Sequence, residues 1–293
     1  MDIKFRIAKN IFLLLAFGLA ISSCKKLARP SLGDYPTDEI NLPEGDLRFY
    51  TSFDLTGTDF REQVSDSISK NPPFFNGNPL TLVPGVRGNA VEGKDQNAIL
   101  FLNANDFVNA KSFTISFWEK NTVPDGGKAQ FIFSLPSKDY WHNSGMFLMF
   151  DHSGAGSTAS ESVVKFAVQD HWFEFTPANG KMPGNLLNGD WHHFAVTYNE
   201  TDSKLTWYVD GQALTGLDPV LTDWIDNGTP HGAMNLNPTS VSNFVLGGWN
   251  KHAGLPGETA DWVQSWQGSL DQFRLYNKAL SPADIQTLYN SRL

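Results

Sequence analysis

The chain has 293 residues, with 22 basic against 31 acidic side chains and a formal charge of −9. An acidic balance of this size excludes nucleic acid or an anionic lipid surface as the main partner, since both need a basic footprint. Aromatic residues reach 13%, with 22 Phe and 9 Trp, more than a core usually requires, so rings are left over for a ligand.

The chain opens with Lys4, Arg6 and Lys9 against one acid, Asp2, followed by an apolar run over 11–21 and then Ser22-Ser23-Cys24. A basic segment, an apolar segment and small residues in that order read as an export signal over residues 1–23. The apolar run is roughly half of the ~20 residues that a membrane-spanning helix needs, so cleavage is expected. Ile21-Ser22-Ser23-Cys24 resembles the lipobox of bacterial lipoproteins, which implies that Cys24 is lipidated and becomes the mature N-terminus. Cys24 is the only cysteine, so the fold must hold without an internal disulfide. Losing three basic residues and one acid takes the charge from −9 to −11, and about 270 residues remain, enough for one large β domain. Residues 24–45 are polar, carry Pro30, Pro36 and Pro43 and show no periodicity, so a flexible tether is expected there.

The globular domain is expected over 46–293. Short apolar or alternating runs at 47–53, 98–102, 112–119, 130–135, 146–150, 163–169, 191–198, 204–209, 243–246 and 269–276 read as strands; Phe113, Ile115 and Phe117, for example, share one face. Their number predicts an all-β, two-sheet sandwich. One helix is expected at the C-terminus, with Ser281 as N-cap, Pro282 at its first position, Asp284 facing the dipole, and Ile285, Leu288 and Tyr289 as its apolar stripe. Long interruptions near 60–80, 136–145, 151–162, 176–190 and 212–242 are where function is expected.

Five segments, in order, carry a family resemblance: Gly88-Asn89-Ala90-Val91, Ser112-Phe113-Thr114-Ile115-Ser116-Phe117-Trp118, the run from Trp191-His192-His193 to Tyr198, Leu205-Thr206-Trp207-Tyr208-Val209-Asp210-Gly211, and Gly268-Ser269-Leu270-Asp271 to Asn277 with Ala279-Leu280-Ser281. Over roughly residues 46–291 the chain resembles bacterial laminin G-like, concanavalin A-like domains. The resemblance implies an antiparallel jelly roll with its first and last strands paired, and a ligand on the concave sheet or its rim loops. Lipoproteins of this build in Gram-negative bacteria are associated with glycan capture and utilisation. The resemblance therefore implies an outer-membrane lipoprotein meeting the membrane only through its anchor, with partner proteins of a glycan-uptake system. Lys25-Lys26 stand where surface-exported lipoproteins favour acids, so the outward or periplasmic orientation stays open.

Most of these motifs are architecture. Alternation puts His192 and His193 on opposite faces, where structural roles are expected, and Asp210-Gly211 is a hairpin turn. Trp118, Trp191 and Trp266 are expected in the core. A retaining glycoside hydrolase on this fold would carry Glu-x-Asp-x-x-Glu or a close variant on one strand, and no such spacing occurs; Glu258 to Asp261 has the wrong interval. Asp170 and Glu174 remain a conceivable acid pair. The resemblance places a structural calcium ion at Asp271, in the last strand, with Asp54 as partner. For a glycan, stacking faces beside polar groups are expected in three clusters: Trp141 with His142, Asp170-His171-Trp172, and Trp249 continuing to Trp262. The reading is a non-catalytic carbohydrate-binding lipoprotein whose ligand is a polysaccharide or oligosaccharide, against a hydrolase or lyase with an unusual site and against a protein-interaction subunit.

Overall fold

A computed structural model describes residues 45–75, 80–123, 127–136, 144–152, 156–236, 243–257 and 260–292. Cys24, the signal segment, most of the tether, Trp141, His142 and Glu258 lie outside the described residues. Among the described residues no helix is long and apolar enough to cross a membrane.

The strands are β1 (Leu47–Thr51), β2 (Phe74–Phe75), β3 (Thr81–Pro84), β4 (Asn89–Glu92), β5 (Ile99–Phe101), β6 (Phe113–Lys120), β7 (Ala129–Leu135), β8 (Met146–Phe150), β9 (Glu161–Ser162), β10 (Val164–Val168), β11 (His171–Phe175), β12 (Met182–Pro183), β13 (His192–Asn199), β14 (Lys204–Val209), β15 (Gln212–Ala213), β16 (Ile225–Asp226), β17 (Thr229–Pro230), β18 (Phe244–Leu246), β19 (Val263–Ser265) and β20 (Ser269–Tyr276). Sixteen of them build two eight-stranded sheets, and β9 with β12 and β16 with β17 form two small antiparallel pairs. The first runs β15-β14-β13-β6-β20-β4-β3 with β1 also on β20, and the second runs β11-β10-β8-β7-β18-β5-β2 with β19 parallel on β7. As expected, the first and last strands pair antiparallel, from Leu47 opposite Tyr276 to Thr51 opposite Phe273.

Alternation fills the space between the sheets. Phe113, Ile115 and Phe117 of β6 and Phe194, Val196 and Tyr198 of β13 meet Met146, Leu148 and Phe150 of β8 and Val164, Phe166 and Val168 of β10 in one core. Phe117 stacks on Phe194 at 5.0 Å and on Phe273 at 5.6 Å. Leu270 and Phe273 both point inward although three residues apart, because a bulge with Gln272 at φ 55° inserts one residue into β20.

The C-terminal helix Pro282–Ser291 forms where its local signals put it, with Ser281 and Asp284 in a reciprocal capping box. Ile285, Leu280 and Leu288 pack on Ala195 and Tyr208 of the first sheet's outer face, and Tyr289 stacks on Trp118 at 5.5 Å. Both histidines of β13 have structural partners: His193 Nε2 meets Ser116 Oγ at 2.9 Å, and His192 meets Asp210 Oδ2 at 2.9 Å and Asn188 Oδ1 at 3.1 Å. Asp210 and Gly211 have φ of 49° and 76°, the positive pair a two-residue hairpin requires. Trp118 and Trp266 are buried, but Trp191 is only half-buried; it precedes His192, the first paired residue of β13.

Candidate functional site

Asp170-His171-Trp172 is not a loop, as the sequence suggested, but the turn and start of an edge strand. Gln169 and Asp170, at φ 48° and 67°, make the two-residue turn that folds β11 back on β10. Trp172 therefore stands on the outer face of the second sheet with Glu174, while Phe173 and Phe175 enter the core.

Two rows cross that outer face. Trp172 lies opposite Ala167, which lies opposite Phe147, and Glu174 lies opposite Lys165, which lies opposite Met149. The methyl of Ala167 is small enough for the Trp172 and Phe147 rings to meet edge to face at 5.1 Å, and Phe147 continues to Phe131 at 5.4 Å. Beside Trp172, Lys165 Nζ lies 2.8 Å from Asp151 Oδ2 and 3.5 Å from Glu174 Oε1. The side chains of Asp151, Lys165 and Glu174 are 5%, 25% and 36% exposed, so the triad rises from a buried base to a wet rim. Burial alone would lower the Lys165 pKa, but the hydrogen bond and charge of Asp151 and the charge of Glu174 outweigh it and hold the ammonium above its usual range. Glu174 thus pairs with Lys165 and not with Asp170.

Trp249 is a correction. It is fully buried with Phe131, Phe147, Met149, Ala260 and Val263, so its ring plugs a loop onto the second sheet and offers no face to a sugar. That loop covers the outer face around Trp249, and among the described residues Trp172, Lys165 and Glu174 on the same face are part-exposed. Trp262 is 44% exposed, and its carbonyl accepts from the Ala129 amide beside β19. Since β19 is the fourth strand from β11, about 4.8 Å apiece puts Trp262 roughly 19 Å from Trp172, too far to hold the same sugar ring.

His171 faces the other way. Its Nδ1 lies 3.7 Å from Asp226 Oδ1, and His231 Nδ1 lies 2.5 Å from Asp226 Oδ2 while its ring stacks flat on buried Trp224 at 3.6 Å. This cluster fastens the 214–232 excursion to the edge of β11. His171 is therefore a fastening beneath the hairpin, and it sits on the opposite face of β11 from Trp172.

The Asp54 and Asp271 pair does come together, around the turn from Gly85 to Asn89. Asp271 Oδ2 accepts from the amides of Val86 at 2.8 Å and Arg87 at 3.4 Å, and Asp54 Oδ1 accepts from the amide of Asn89 at 2.6 Å. Asp271 is fully buried, and its Oδ1 has no hydrogen-bond partner. Burial lifts its pKa to about 7, the backbone amides of Arg87 and Val86 pull the other way, and the charge of Asp54 adds to the rise. An orphaned buried oxygen beside a second carboxylate suits a hard cation, with backbone carbonyls and water completing the shell. Among the described residues no group of three or more His, Cys, Asp or Glu could hold a metal, so carboxylates alone would not do so.

The sequence missed Lys165 and Asp151. The available signal was Lys165, the single charge in the β10 run, at even spacing from Ala167 and so on the face that is not core.

Residues 93–234 match the family model described as the concanavalin A-like lectin/glucanases superfamily, of the Laminin_G_3 type. The neuronal pentraxin receptor of Mus musculus is 28% identical over 110 residues, covering 38% of this chain and 19% of that protein. Neuronal pentraxin-2 of Cavia porcellus is 21% identical over 188 residues, covering 62% of this chain and 35% of that protein. The chain thus spans well under half the length of these curated relatives. Among solved structures, domain 4 of AbnA, a GH43 extracellular arabinanase from Geobacillus stearothermophilus in complex with arabinotriose, superposes with a TM-score of 0.51 at 16% identity, over 83% of this chain and 98% of that one. The binding domain of Paraclostridial Mosquitocidal Protein 1 gives 0.51 at 16% identity, over 84% and 52%. At these identities the likeness concerns the fold, which is concanavalin A-like.

Proposed function

We propose that this domain is a non-catalytic carbohydrate-binding module that holds a polysaccharide or oligosaccharide at the β10–β11 edge of the second sheet. The observation that carries the reading is Trp172, a half-buried ring on the solvent side of the sheet, flanked by the Asp151–Lys165–Glu174 triad. A sugar needs both parts: an aromatic surface for its C–H face and charged groups for its hydroxyls. The arabinanase domain with arabinotriose, on the same fold, supports the reading. The test is an affinity-gel and glycan-array screen of the domain from Asp46 onward. Retention by at least one glycan, lost in Trp172→Ala, is expected, and a wild-type domain that binds none overturns the proposal.

Asp151 and Glu174 approach the same ammonium, so a glycoside hydrolase is the second reading. Lys165 fills the space between the two carboxylates that a scissile bond would need. Sugar release from the glycan that binds would establish hydrolysis.

The reading also includes lipidation at Cys24 and attachment to the outer membrane within a glycan-uptake system, checked by radiolabelled palmitate incorporation in wild type and Cys24→Ala. A structural calcium ion belongs to it as well, held by Asp271 and Asp54, where it would neutralise two adjacent carboxylates. Added calcium is expected to raise the melting temperature and a chelator to reverse it; no shift in Asp271→Asn relative to buffer, against a clear one in wild type, would tie the effect to this site.

A further inference from the structure

We infer that the Trp172 site selects uncharged glycans against those bearing carboxylate or sulfate, with Glu174 and the pinned Lys165 as the selecting pair; this rests on the carbohydrate reading above. Asp151 and Glu174 stand against one ammonium beside the ring, and the next lysine along the chain, Lys181, is turned to the carbonyl of Gly156. An anionic sugar would therefore approach like charge. A lone lysine on a flexible stem could swing out to meet it. Lys165 does so only by giving up both carboxylate contacts, at 2.8 Å to Asp151 and 3.5 Å to Glu174.

The donor and acceptor pattern points the same way. An ammonium has three N–H donors, and among the described residues those of Lys165 have two partners, Asp151 and Glu174. One donor is left beside a carboxylate that can only accept. Neighbouring sugar hydroxyls fit that pair, since one can accept from Lys165 while the other donates to Glu174. A carboxylate or sulfate can satisfy the donor only and leaves Glu174 facing a second anion.

The experiment pairs each acidic polysaccharide with its carboxyl-reduced or desulfated form and measures affinity for the domain and for Glu174→Gln. Neutral members are expected to bind about tenfold more tightly than their acidic partners at low salt, with the gap narrowing in Glu174→Gln and in high salt. Equal or tighter binding of the acidic forms overturns the inference while leaving the glycan reading intact. A gap that Glu174→Gln does not change overturns the assignment to this pair. If Trp172→Ala and wild type alike bind no member of either set, the carbohydrate reading falls and takes the inference with it.

Discussion

Glu119 shows what a single residue costs this fold. It stands on the inward row of β6 with Phe113, Ile115 and Phe117, fully buried, and neither carboxyl oxygen has a hydrogen-bond partner. Burial, with the charge of Asp210 adding, lifts its pKa well above the usual 4.5, so the fold holds it protonated where the unfolded chain ionises it. Its contribution is full below pH 4.5 and is lost as pH rises toward the folded value. Glu119→Gln should therefore be more stable relative to wild type at pH 8 than at pH 5 in urea titrations, and an unchanged difference would refute the burial argument. Gly88 is the opposite case. At φ +65° a Cβ would lie 2.1 Å from Asp54 Oδ1, so Gly88→Ala should cost roughly 1–3 kcal/mol and blunt any calcium stabilisation.

At the scale of elements, the β10–β11 hairpin works because Ala167 is small. Ala167→Leu would drive the Trp172 and Phe147 rings apart, costing roughly 1–3 kcal/mol by overpacking and weakening glycan retention together, whereas Trp172→Ala should abolish retention with a smaller loss of stability. Calorimetry alongside affinity gels separates the two. The C-terminal helix depends on its cap: Ser281→Ala removes the hydroxyl that accepts from the Asp284 amide at 3.2 Å and should lower stability by about 1 kcal/mol. These two elements differ in how readable they were. The helix carries its start signal within four residues, Ser281 to Asp284. The hairpin turn is Gln169-Asp170, with no glycine to announce its positive φ, so the strand behind it reads as loop.

For the whole molecule, three buried histidines set the acid limit. Burial, the largest cause in each, lowers His193 to about 3 and His152 and His252 to about 4, against 6.5 in the unfolded chain. Each contributes stability that is present above pH 6.5 and is lost as pH falls through the folded value. Glu119 loses its contribution in the other direction, from 4.5 upward. Between 4.5 and 6.5 the three histidines favour rising pH against Glu119 and Asp271, whose folded value of about 7 also lies above its ordinary 3.8, and above 6.5 the two acids act without them. Stability in chelator should therefore peak near pH 6.5, and a maximum below pH 5 by denaturant titration would contradict the set.

The sequence by itself determined the two sheets, the Asp210-Gly211 turn and the capped helix, because period-two alternation, positive-φ turns and helix caps are settled by residues within a few positions of one another. Only the tertiary structure decided how deeply each tryptophan is buried. Trp249 and Trp172 have similar polar and aromatic neighbours in sequence, yet one is fully buried among Phe131, Phe147 and Met149 while the other is half-buried against the same cluster on β11. The same holds for the site's charges. Asp151, Lys165 and Glu174 come from the end of β8, from β10 and from β11, and only strand pairing brings them to one ammonium. Burial and long-range charge pairing depend on what the remaining chain packs against each residue, and local spacing does not encode that.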